Sequence, residues 1–338
     1  MHATAALLDA ARNGDESAYR DLVERYRNDL HAHCYRMLGS VQDAEDALQE
    51  TMLRAWRALP RFEARSSLRT WLFTIATNTC LTAIARRPAR MLPIDYGPPM
   101  DPHDQPRKAV AEATWIEPYP DAELGLSGGL TAPEARYERR EGVELAFVAA
   151  IQHLAPRPRA ALILREVLGF SAREVAEALD TTVASVNSAL QRARRTIEER
   201  MPPISQQETL RALGDQRLRA LVRDYSDALE RGDVDAVLAL LTEDATWSMP
   251  PRPEWYQGVE ALTGFLERGP MTRRWRHLPT RANGQIAVGC YIWDEEPGAY
   301  DAAIIDVLTL RGDRIAAITA FIGPERFGAF GLPDSLPA

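Results

Sequence analysis

Apolar side chains recur every three to four residues along residues 5–88, where Pro60 is the only proline before Pro88. This period is typical of amphipathic helices and predicts that the stretch is helical throughout. One such helix, at 41–59, has two distinct faces. Its predicted inner face carries Ala44, Ala47, Leu48, Thr51, Ala55 and Leu59. Its predicted outer face carries Asp43, Asp46, Glu50, Leu53 and Arg57.

A change of composition interrupts the helical pattern at residues 89–133. Nine of the chain's 23 prolines lie between Pro88 and Pro133, and glycines accompany them. Such a stretch predicts a linker between domains. Its segment WIEPYPDAEL, at 115–124, combines aromatic and acidic residues. Helical periodicity resumes in residues 134–200.

The second helical block contains the pattern of a helix-turn-helix. Ser171 and Glu174 stand at the spacing of a capping box, which predicts that a helix begins there. A turn is predicted at 180–182, and no acidic residue lies between Val183 and Ile197 in the helix that follows. Its apolar positions are Val183, Val186, Leu190 and Ile197. Its polar positions are Ser185, Ser188, Gln191, Arg192 and Arg195. This composition favours a major-groove reader, and an ordinary helical hairpin is the alternative.

Residues 206–330 begin with helices and end with alternating apolar and polar positions. The pattern predicts a helix from Leu218 to Arg231 that ends at Gly232, a short helix after Asp233, and a third helix in GVEALTGFLERG. Strands are predicted in ATWSMPP, QIAVGCYIW, AAIIDVLTL and IAAITAFI. Helices followed by antiparallel strands predict an α+β domain whose sheet curls around the long helix.

The net charge of −8 gives little guidance about a nucleic-acid partner, because local patches bind phosphates. One basic patch follows the acidic helix: six arginines and a single acid lie between Arg61 and Arg90. Trp71, Asn78 and Thr79 add side chains that suit unstacked bases. The alternative is a structural tryptophan in an ordinary helical bundle.

Composition argues against several other classes of protein. No stretch approaches the roughly 18 apolar residues of a membrane span, and the N-terminus lacks the pattern of a signal peptide. We therefore expect a cytoplasmic protein without a membrane partner. Cys34, Cys80 and Cys290 lie far apart, with no His at ligand spacing. We expect reduced thiols, no metal and no cofactor.

The segments DAEDALQETMLRAWRAL and SSLRTWLFTIATNTCLTAIARR resemble region 2 of the extracytoplasmic-function group of the sigma-70 family. The resemblance implies that the acidic helix docks on the clamp helices of core RNA polymerase. The matching residues are Asp46, Gln49, Glu50, Leu53 and Trp56. It also implies that the basic helix melts the −10 element and captures a flipped base. The residues at those positions are Trp71, Asn78, Thr79 and Cys80, with Arg86 and Arg87 on phosphates.

The stretch LAPRPRAALILREVLGFSAREVAEALDTTVASVNSALQRARRTIEE resembles region 4 of the same family, which reads the −35 element. The resemblance assigns promoter contacts to the polar face defined above, at Ser185, Ser188, Gln191, Arg192 and Arg195. In that family the linker threads the RNA-exit path of the polymerase, where acidic residues can mimic a transcript. A disordered tether is the alternative.

The segments LERGDVDAVLALLTEDATWSMPP and TRANGQIAVGCYI resemble the SnoaL-like group of the nuclear-transport-factor-two-like fold. That fold implies a cone-shaped cavity, and some of its members are enzymes. The residues expected at such a pocket are Trp247, Trp255, Tyr256, Trp275, His277, Tyr291 and Trp293. A filled aromatic core is the alternative. Asp244, His277 and Asp306 are the acid–base candidates, but no spacing pairs them, so we assign no catalytic residue.

These features predict a multidomain chain with two all-α helical domains and an α+β cone-shaped SnoaL-like domain. The predicted borders are region 2 at 5–88, a linker at 89–133, region 4 at 134–200 and the SnoaL-like domain at 206–330. The predicted function is a sigma factor, not an enzyme, that directs core RNA polymerase to promoter DNA and is regulated in cis by its C-terminal domain, with an unknown small ligand as a candidate partner. The alternative is a DNA-tethered ligand-sensing or catalytic SnoaL-like protein. The acidic helix favours the sigma factor, because a simple DNA-binding regulator needs no polymerase-binding surface.

Overall fold

The computed structural model describes residues 2–104, 115–125, 140–296, 298–323 and 327–338. Contacts divide the chain into two units. The first comprises Met1–Ala89, Glu123–Gly125 and Ala146–Met201. The second comprises Arg90–Ala122, Leu126–Leu145 and Pro202–Ala338. Within the described ranges, no helix is long and apolar enough to cross a membrane.

Helices α1 to α5 form the first part of the first unit. They are α1 (His2–Arg12), α2 (Glu16–Glu24), α3 (Arg27–Leu38), α4 (Val41–Ala58) and α5 (Leu68–Ile84). Side-chain oxygens of Asp15, Ser40 and Ser67 accept backbone N–H bonds at the starts of α2, α4 and α5. Such caps satisfy the free N–H groups of a first turn and therefore fix where a helix begins. The inner face predicted for the helix at 41–59 is buried, as expected.

The helix-turn-helix forms the second part of the first unit. Its helices are α7 (Leu145–Gln152), α8 (Pro156–Leu162), α9 (Ala172–Ala178) and α10 (Val183–Arg200), and the short helix α6 (Pro93–Tyr96) precedes them in the second unit. The predicted capping box is present: Ser171 and Glu174 bond reciprocally at the start of α9. Thr182, the last residue of the predicted turn, caps α10 by accepting from the N–H of Ser185. A π-helical segment, Ile163–Val167, follows α8.

Three further helices and seven strands build the second unit. The helices are α11 (Gln206–Arg231), α12 (Val234–Ala239) and α13 (Val259–Arg268). Helix α11 is broken at Gly214, whose φ of 73° and ψ of 160° are not helical, and it ends at Gly232 in the left-handed region. The strands are β1 (Leu241–Ser248), β2 (Trp255–Gln257), β3 (Trp275–Ala282), β4 (Gln285–Asp294), β5 (Ala299–Arg311), β6 (Arg314–Ile322) and β7 (Ser335–Leu336).

The strands form one sheet in the order β2-β1-β6-β5-β4-β3, and β7 pairs with β5. The expectation of purely antiparallel strands is wrong at one place, because β1 and β6 are parallel. Strand β3 was not predicted from the sequence, because it contains Pro279. The proline is tolerated there because β3 is an edge strand. One face of the sheet packs on α11, with Tyr225, Trp247, Val288 and Leu308 in a shared core.

The predicted linker is not a separate element. Its described residues 90–104 and 115–122 belong to the same unit as the sheet. The indole N–H of Trp255 donates to Gly97 O at 2.8 Å, and the N–H of Met100 donates to Trp255 O at 2.8 Å. Pro120 forms a β-bridge with Ala282 at the end of β3. The sheet therefore organises chain segments that the proline pattern assigned to a tether.

Residues 140–145 are also part of the second unit, although the predicted border placed region 4 from 134 onward. Glu144 is 1% exposed, and its carboxylate accepts the N–H groups of Gln206 and Gln207 at 3.1 and 2.8 Å. The side chain of Asn283 donates to Val143 O at 2.9 Å. The chain entering region 4 is thus hydrogen-bonded to the start of α11, where the chain leaves region 4. Residues 134–139 lie outside the described part of the chain.

Candidate nucleic-acid interface

The outer face of α4 presents most of the residues expected to bind polymerase. Asp46 and Gln49 are exposed, and Leu53 is 50% exposed. Glu50 is half-buried and forms an ion pair with Arg54 at 2.6 Å. These positions repeat at three and four residues and therefore lie on one side of the helix.

Asp43 does not belong to this outer face, contrary to the prediction. It is 9% exposed and forms an ion pair with Arg87. Its N–H is also bonded to the Ser40 cap at 3.1 Å. Arg87, which follows α5, thus covers the first turn of α4. The helical periodicity of α4 alone could not predict this contact.

A groove of about 420 Å³ adjoins the outer face between α2 and α4. Trp56 lines it together with Tyr19 and Leu53. The Tyr19 and Trp56 rings are 5.0 Å apart, and the Tyr19 hydroxyl donates to Met52 O at 2.7 Å. Burial raises the pKa of Tyr19 to about 12, so this hydroxyl stays protonated. The contribution of α2 was missed, although Tyr19 and Val23 stand at helical spacing.

Helix α5 presents only part of its predicted −10 set. Trp71 is half-buried and Asn78 is exposed, and seven residues separate them, which is nearly two turns. The Trp71 ring packs 4.8 Å from that of Phe62. Thr74 and Thr82 lie on the same side of the helix and were not predicted. This side of α5 is the candidate surface for an unstacked strand.

Thr79 and Cys80 lie on the opposite, buried side of α5, so their assignment to base capture is wrong for this structure. The Thr79 hydroxyl donates to Ile75 O at 2.9 Å within the helix. Hydrogen bonding to Cys34 and burial raise the pKa of the Cys80 thiol well above its usual range. Thr79 and Cys80 directly follow Asn78, but each step along an α-helix turns the side chain by about 100°. Both side chains therefore point away from the side that carries Asn78.

The two arginines after α5 have different surroundings. Arg86 and Arg87 are both exposed, which suits the expected phosphate contacts. Arg87 is engaged by Asp43, so a phosphate would have to compete with that carboxylate. Arg86 therefore has the more available charge of the pair for DNA.

All five residues predicted to read the −35 element are exposed on α10. They are Ser185, Ser188, Gln191, Arg192 and Arg195. The buried side of the helix consists of Val186, Leu190 and Ala193. Val183, expected to be buried, is 41% exposed. It is the first residue of α10, directly after the Thr182 cap.

Another arginine of α10, Arg194, holds the helix in place. Arg194 forms an ion pair of 2.6 Å with Glu166 in the π-helical segment. Arg157 supports the turn from the other side by donating to Leu179 O, at the end of α9, at 3.2 Å. These contacts orient the exposed face of α10 relative to the rest of the helix-turn-helix.

The aromatic residues expected around one pocket lie on two faces of the sheet. Trp247, Tyr256 and Trp275 pack in the core that faces α11. Cys290 belongs to the same core, so strand alternation places Tyr291 and Trp293 on the other face. On that face lie the ring of Phe327, which meets the Tyr291 ring edge to face, and the carbonyl of Pro333, which accepts from the Tyr291 hydroxyl at 2.9 Å.

Trp255 and His277, the remaining members of that set, also have partners within the second unit. The Trp255 indole is bonded to Gly97 in the linker. The His277 ring lies on the core face, and its Nδ1 is 3.4 Å from Glu230 Oε1. The prediction of one shared pocket is therefore wrong, because residues at odd and even positions of a strand point to opposite faces.

The acid–base candidates differ in environment. Asp244 is exposed and paired with Arg311. Asp306 is 3% exposed and accepts from the Tyr225 hydroxyl at 2.8 Å and the Cys290 thiol at 3.3 Å. Burial raises the pKa of Asp306. Within the described ranges, no group of three or more His, Cys, Asp or Glu residues could hold a metal ion.

Two acidic residues of the linker, Glu117 and Asp121, are bonded within the second unit. Glu117 lies 3.5 Å from the guanidinium of Arg90, which also donates to Trp115 O at 2.7 Å. Asp121 accepts from the N–H of Gly284 at 2.7 Å and from Arg281 at 3.3 Å. Burial raises the pKa of Asp121. In this structure the two carboxylates therefore already have partners within the second unit.

Three parts of the chain match known protein families. The chain matches the Sigma-70 region 2 family over residues 22–90 and the Sigma-70, region 4 family over residues 144–197. Residues 222–318 match the SnoaL-like domain. The chain is 42% identical over 335 residues to the ECF RNA polymerase sigma factor SigG of Mycobacterium tuberculosis, an alignment that covers 96% of this chain and 86% of that protein. The chain belongs to the extracytoplasmic-function sigma factor family.

Two further comparisons agree with this assignment. The sigma factor is 30% identical over 203 residues to the ECF RNA polymerase sigma-E factor of Haemophilus influenzae, which covers 59% of this chain and 95% of that protein. The crystal structure of the sigma factor SigJ from Mycobacterium tuberculosis has the same fold, with a TM-score of 0.57 at 22% identity over 93% of this chain and 99% of that one.

The predicted family and fold class are confirmed by these matches. As a sigma factor, the protein directs RNA polymerase to promoters, and it carries a C-terminal SnoaL-like domain.

Proposed function

We propose that this sigma factor binds core RNA polymerase through the exposed side of α4, opens the −10 element with α5 and reads the −35 element with α10. The observation that carries the proposal is the exposure of each surface: Asp46 and Leu53 on α4, Asn78 on α5, and Arg192 on α10. Each helix is separately fixed by a cap and a buried face, so its exposed side chains are free for a partner.

The polymerase surface combines carboxylates with an apolar groove. Acidic groups at Asp46 and Glu50 supply charge complementarity, and Leu53 and Trp56 supply apolar area at the groove. A partner helix with basic residues and one apolar side chain fits this arrangement.

Charge reversal tests this surface. The variant Asp46→Arg with Glu50→Arg should reduce capture of core polymerase at least tenfold in a pull-down, while its circular dichroism spectrum stays unchanged. Glu198→Arg with Glu199→Arg, on exposed positions at the end of α10, is the matched control with the same change in net charge. Undiminished capture by the first variant would refute the assignment.

We further propose that the C-terminal domain regulates the sigma factor in cis through the linker. Support comes from the hydrogen bonds that bring linker segments into the second unit, at Gly97, Met100 and Asp121. A linker bound in this way is not available to follow a path through the polymerase. Release of the linker would therefore accompany assembly of the initiation complex.

The turn at Asn283 offers a specific test of cis regulation. Asn283 is fully buried, exchanges backbone and side-chain hydrogen bonds with Tyr119, and donates to Val143 O. Asn283→Ala removes the side-chain bonds and should raise promoter-dependent transcription at limiting polymerase. Thr309→Ala removes a hydroxyl that accepts from Gln285 in the same domain and has no hydrogen bond to the described linker residues 90–104 and 115–125, and it serves as the control. Equal transcription by wild type and Asn283→Ala, across salt concentrations, would remove the regulatory role.

We infer that the C-terminal domain is not a catalyst. The Tyr225 hydroxyl and the Cys290 thiol both donate to the Asp306 carboxylate, and Asp244 lies at the surface with Arg311. Asp306→Asn should then leave transcription and its regulation unchanged when the domain stays folded. A change in regulation that depends on an added small molecule would instead favour a ligand-sensing domain.

A further inference from the structure

Helix α1 packs against the chain segment that leads into α5. It lies before residues 22–90, which match the region 2 family, and no residue of α1 belongs to the surfaces assigned to polymerase or DNA. A small apolar cluster joins α1 to that segment. Its buried members are Ala11, Ala18, Leu22, Leu59 and Phe62, and Leu7, Leu8, Ala10, Tyr19, Leu68 and Trp71 pack against them. The cluster therefore connects α1 to Trp71, on the candidate surface for an unstacked strand.

Arg12, the last residue of α1, is bonded directly to Phe62. Its guanidinium donates to Phe62 O and lies 5.7 Å from the centroid of the Phe62 ring, within the range of a cation–π pair. A terminal nitrogen of the same group is 3.7 Å from the carboxylate of Asp9, one turn earlier in α1. The Arg12 side chain is 29% exposed, so water screens these contacts only in part. One side chain thus holds both the backbone and the ring of Phe62.

Phe62 in turn supports the ring of Trp71. Phe62 is buried, the centroids of the two rings are 4.8 Å apart, and the ring planes are inclined by 37°. Trp71 is half-buried, so part of its ring packs on the apolar cluster and the rest faces solvent. A closely packed neighbour restricts the rotamers of a side chain. The Phe62 ring therefore limits the positions that the exposed part of the Trp71 ring can take.

The loop between Phe62 and α5 needs such an anchor. Residues 63–65 are exposed, and Ala64 has a φ of 56°, in the left-handed region that is unfavourable for a residue with a Cβ. Such a conformation persists only where the surrounding contacts hold it. The Ser67 hydroxyl fixes the far end of the loop by capping α5. The bond from Arg12 to Phe62 fixes the near end.

We propose that Arg12 is a positioning residue for promoter opening, which acts through Phe62 on the Trp71 ring that meets the unstacked base. The proposal rests on the assignment of α5 to the −10 element given above. Leu53 on α4 and Arg192 on α10 are not members of the cluster, so the loss of Arg12 leaves the polymerase and −35 surfaces in place. The effect of Arg12 is therefore confined to strand opening.

Arg12→Met tests the proposal without emptying the site. It removes the charge and every donor but keeps an unbranched apolar chain beside the cluster. Permanganate reactivity of the −10 element in the polymerase complex should fall about five- to tenfold, the effect of losing one hydrogen bond from a partly exposed charged donor. Capture of core polymerase and binding to a −35 duplex should stay unchanged. Arg12→Lys keeps a cationic donor for Phe62 O and should restore most of the reactivity.

Arg25→Met is the matched control. Arg25 is exposed at the end of α2, and its guanidinium lies 4.8 Å from the ring centroid of the adjacent Tyr26. The variant removes the same charge and a comparable cation–π contact, but Arg25 is not a member of the cluster at Phe62. Its permanganate reactivity should equal that of wild type. An equal loss in Arg12→Met and Arg25→Met would overturn the proposal, because net charge alone would then explain both.

A double-mutant cycle with Trp71→Ala separates positioning from a general loss of stability. If Arg12 acts through Trp71, Arg12→Met should cause no further loss of permanganate reactivity once the Trp71 ring is absent. In fluorine NMR spectra of protein labelled with fluorotryptophan, Arg12→Met should also shift the signal of Trp71 but not that of Trp247. Losses that multiply in the double mutant, or an unshifted Trp71 signal, would contradict the proposal.

Phe62→Leu provides a second variant if Arg12→Met does not fold. It keeps the carbonyl and an apolar side chain but removes the ring between Arg12 and Trp71, and it should reproduce the loss of reactivity. Wild-type reactivity in Phe62→Leu would refute the role of the ring. Failure of the underlying assignment gives a different result: Trp71→Ala would then itself leave the −10 element as reactive as in wild type, whatever Arg12→Met shows.

Discussion

Replacement of Glu144 by Gln should remove a pH dependence from the stability of the second unit. Glu144 is buried against the first turn of α11, and burial raises its pKa from 4.5 to about 7 despite the N–H bonds from Gln206 and Gln207. Glu141 adds a second negative charge nearby, which also raises this pKa. The folded protein therefore holds the proton of Glu144 more tightly than the unfolded chain does.

The sign of the effect follows from this difference. Between the two pKa values the folded state binds more protons, so the free energy of unfolding falls as the pH rises. The loss begins near the unfolded value and levels off above the folded value of about 7. From pH 5.5 to 7.5 the contribution of Glu144 amounts to a loss of about 2 kcal/mol.

Urea denaturation of the full chain at several pH values provides the measurement, with tryptophan fluorescence as the signal, since five of the seven tryptophans lie in the second unit. Glu144→Gln should flatten the pH dependence of the unfolding free energy by about 2 kcal/mol over this window. Its stability at the low-pH end should be close to that of wild type, because Glu144 is protonated there and both side chains are then neutral. Glu267→Gln, which removes an exposed carboxylate on α13 of the same unit, is the control. Parallel pH curves for wild type and Glu144→Gln would refute the reasoning.

Three other predictions concern DNA and the fold. Arg192→Ala and Arg195→Ala should each weaken −35 duplex binding by about 1–3 kcal/mol if they contact bases, and should reduce the salt dependence if they contact phosphates, as measured by fluorescence anisotropy. Trp71→Ala and Asn78→Ala should leave duplex binding nearly intact but reduce permanganate reactivity of the −10 element, and equal losses in both steps would contradict this division. Gly284→Ala should destabilise the second unit in thermal unfolding, because its φ is 69° and a Cβ would lie 2.9 Å from the carbonyl oxygen of Arg140; an unchanged midpoint would show that the chain at Arg140 is not held there.

The sequence determined the local features of this protein. The caps at Ser67, Ser171 and Thr182, the turn before α10 and the glycine end of α11 depend on residues a few positions apart, and all are present. The exposed face of α10 was predicted correctly for the same reason. A helix-turn-helix exposes its second helix through contacts within some 30 residues.

Tertiary structure decided which polar groups are buried. Asp43 and Cys80 were assigned to exposed faces, but residues distant in sequence cover them. Trp247 and Trp293 lie on opposite faces of the sheet, because successive side chains of a strand alternate between the faces. The sequence period does not show which of the two faces packs on a helix.

The linker shows most clearly what could not be predicted from the sequence. Proline content predicted a tether, but Asn283 and Asp121 hold its described segments on the sheet, and Glu144 ties the chain before region 4 to the chain after it. Glu174 similarly combines a capping box, which sequence spacing defines, with a bond to Thr70 more than 100 residues away. Hydrogen bonds between such distant segments leave no period in the sequence, since each depends on where the folded chain returns and not on the neighbouring residues.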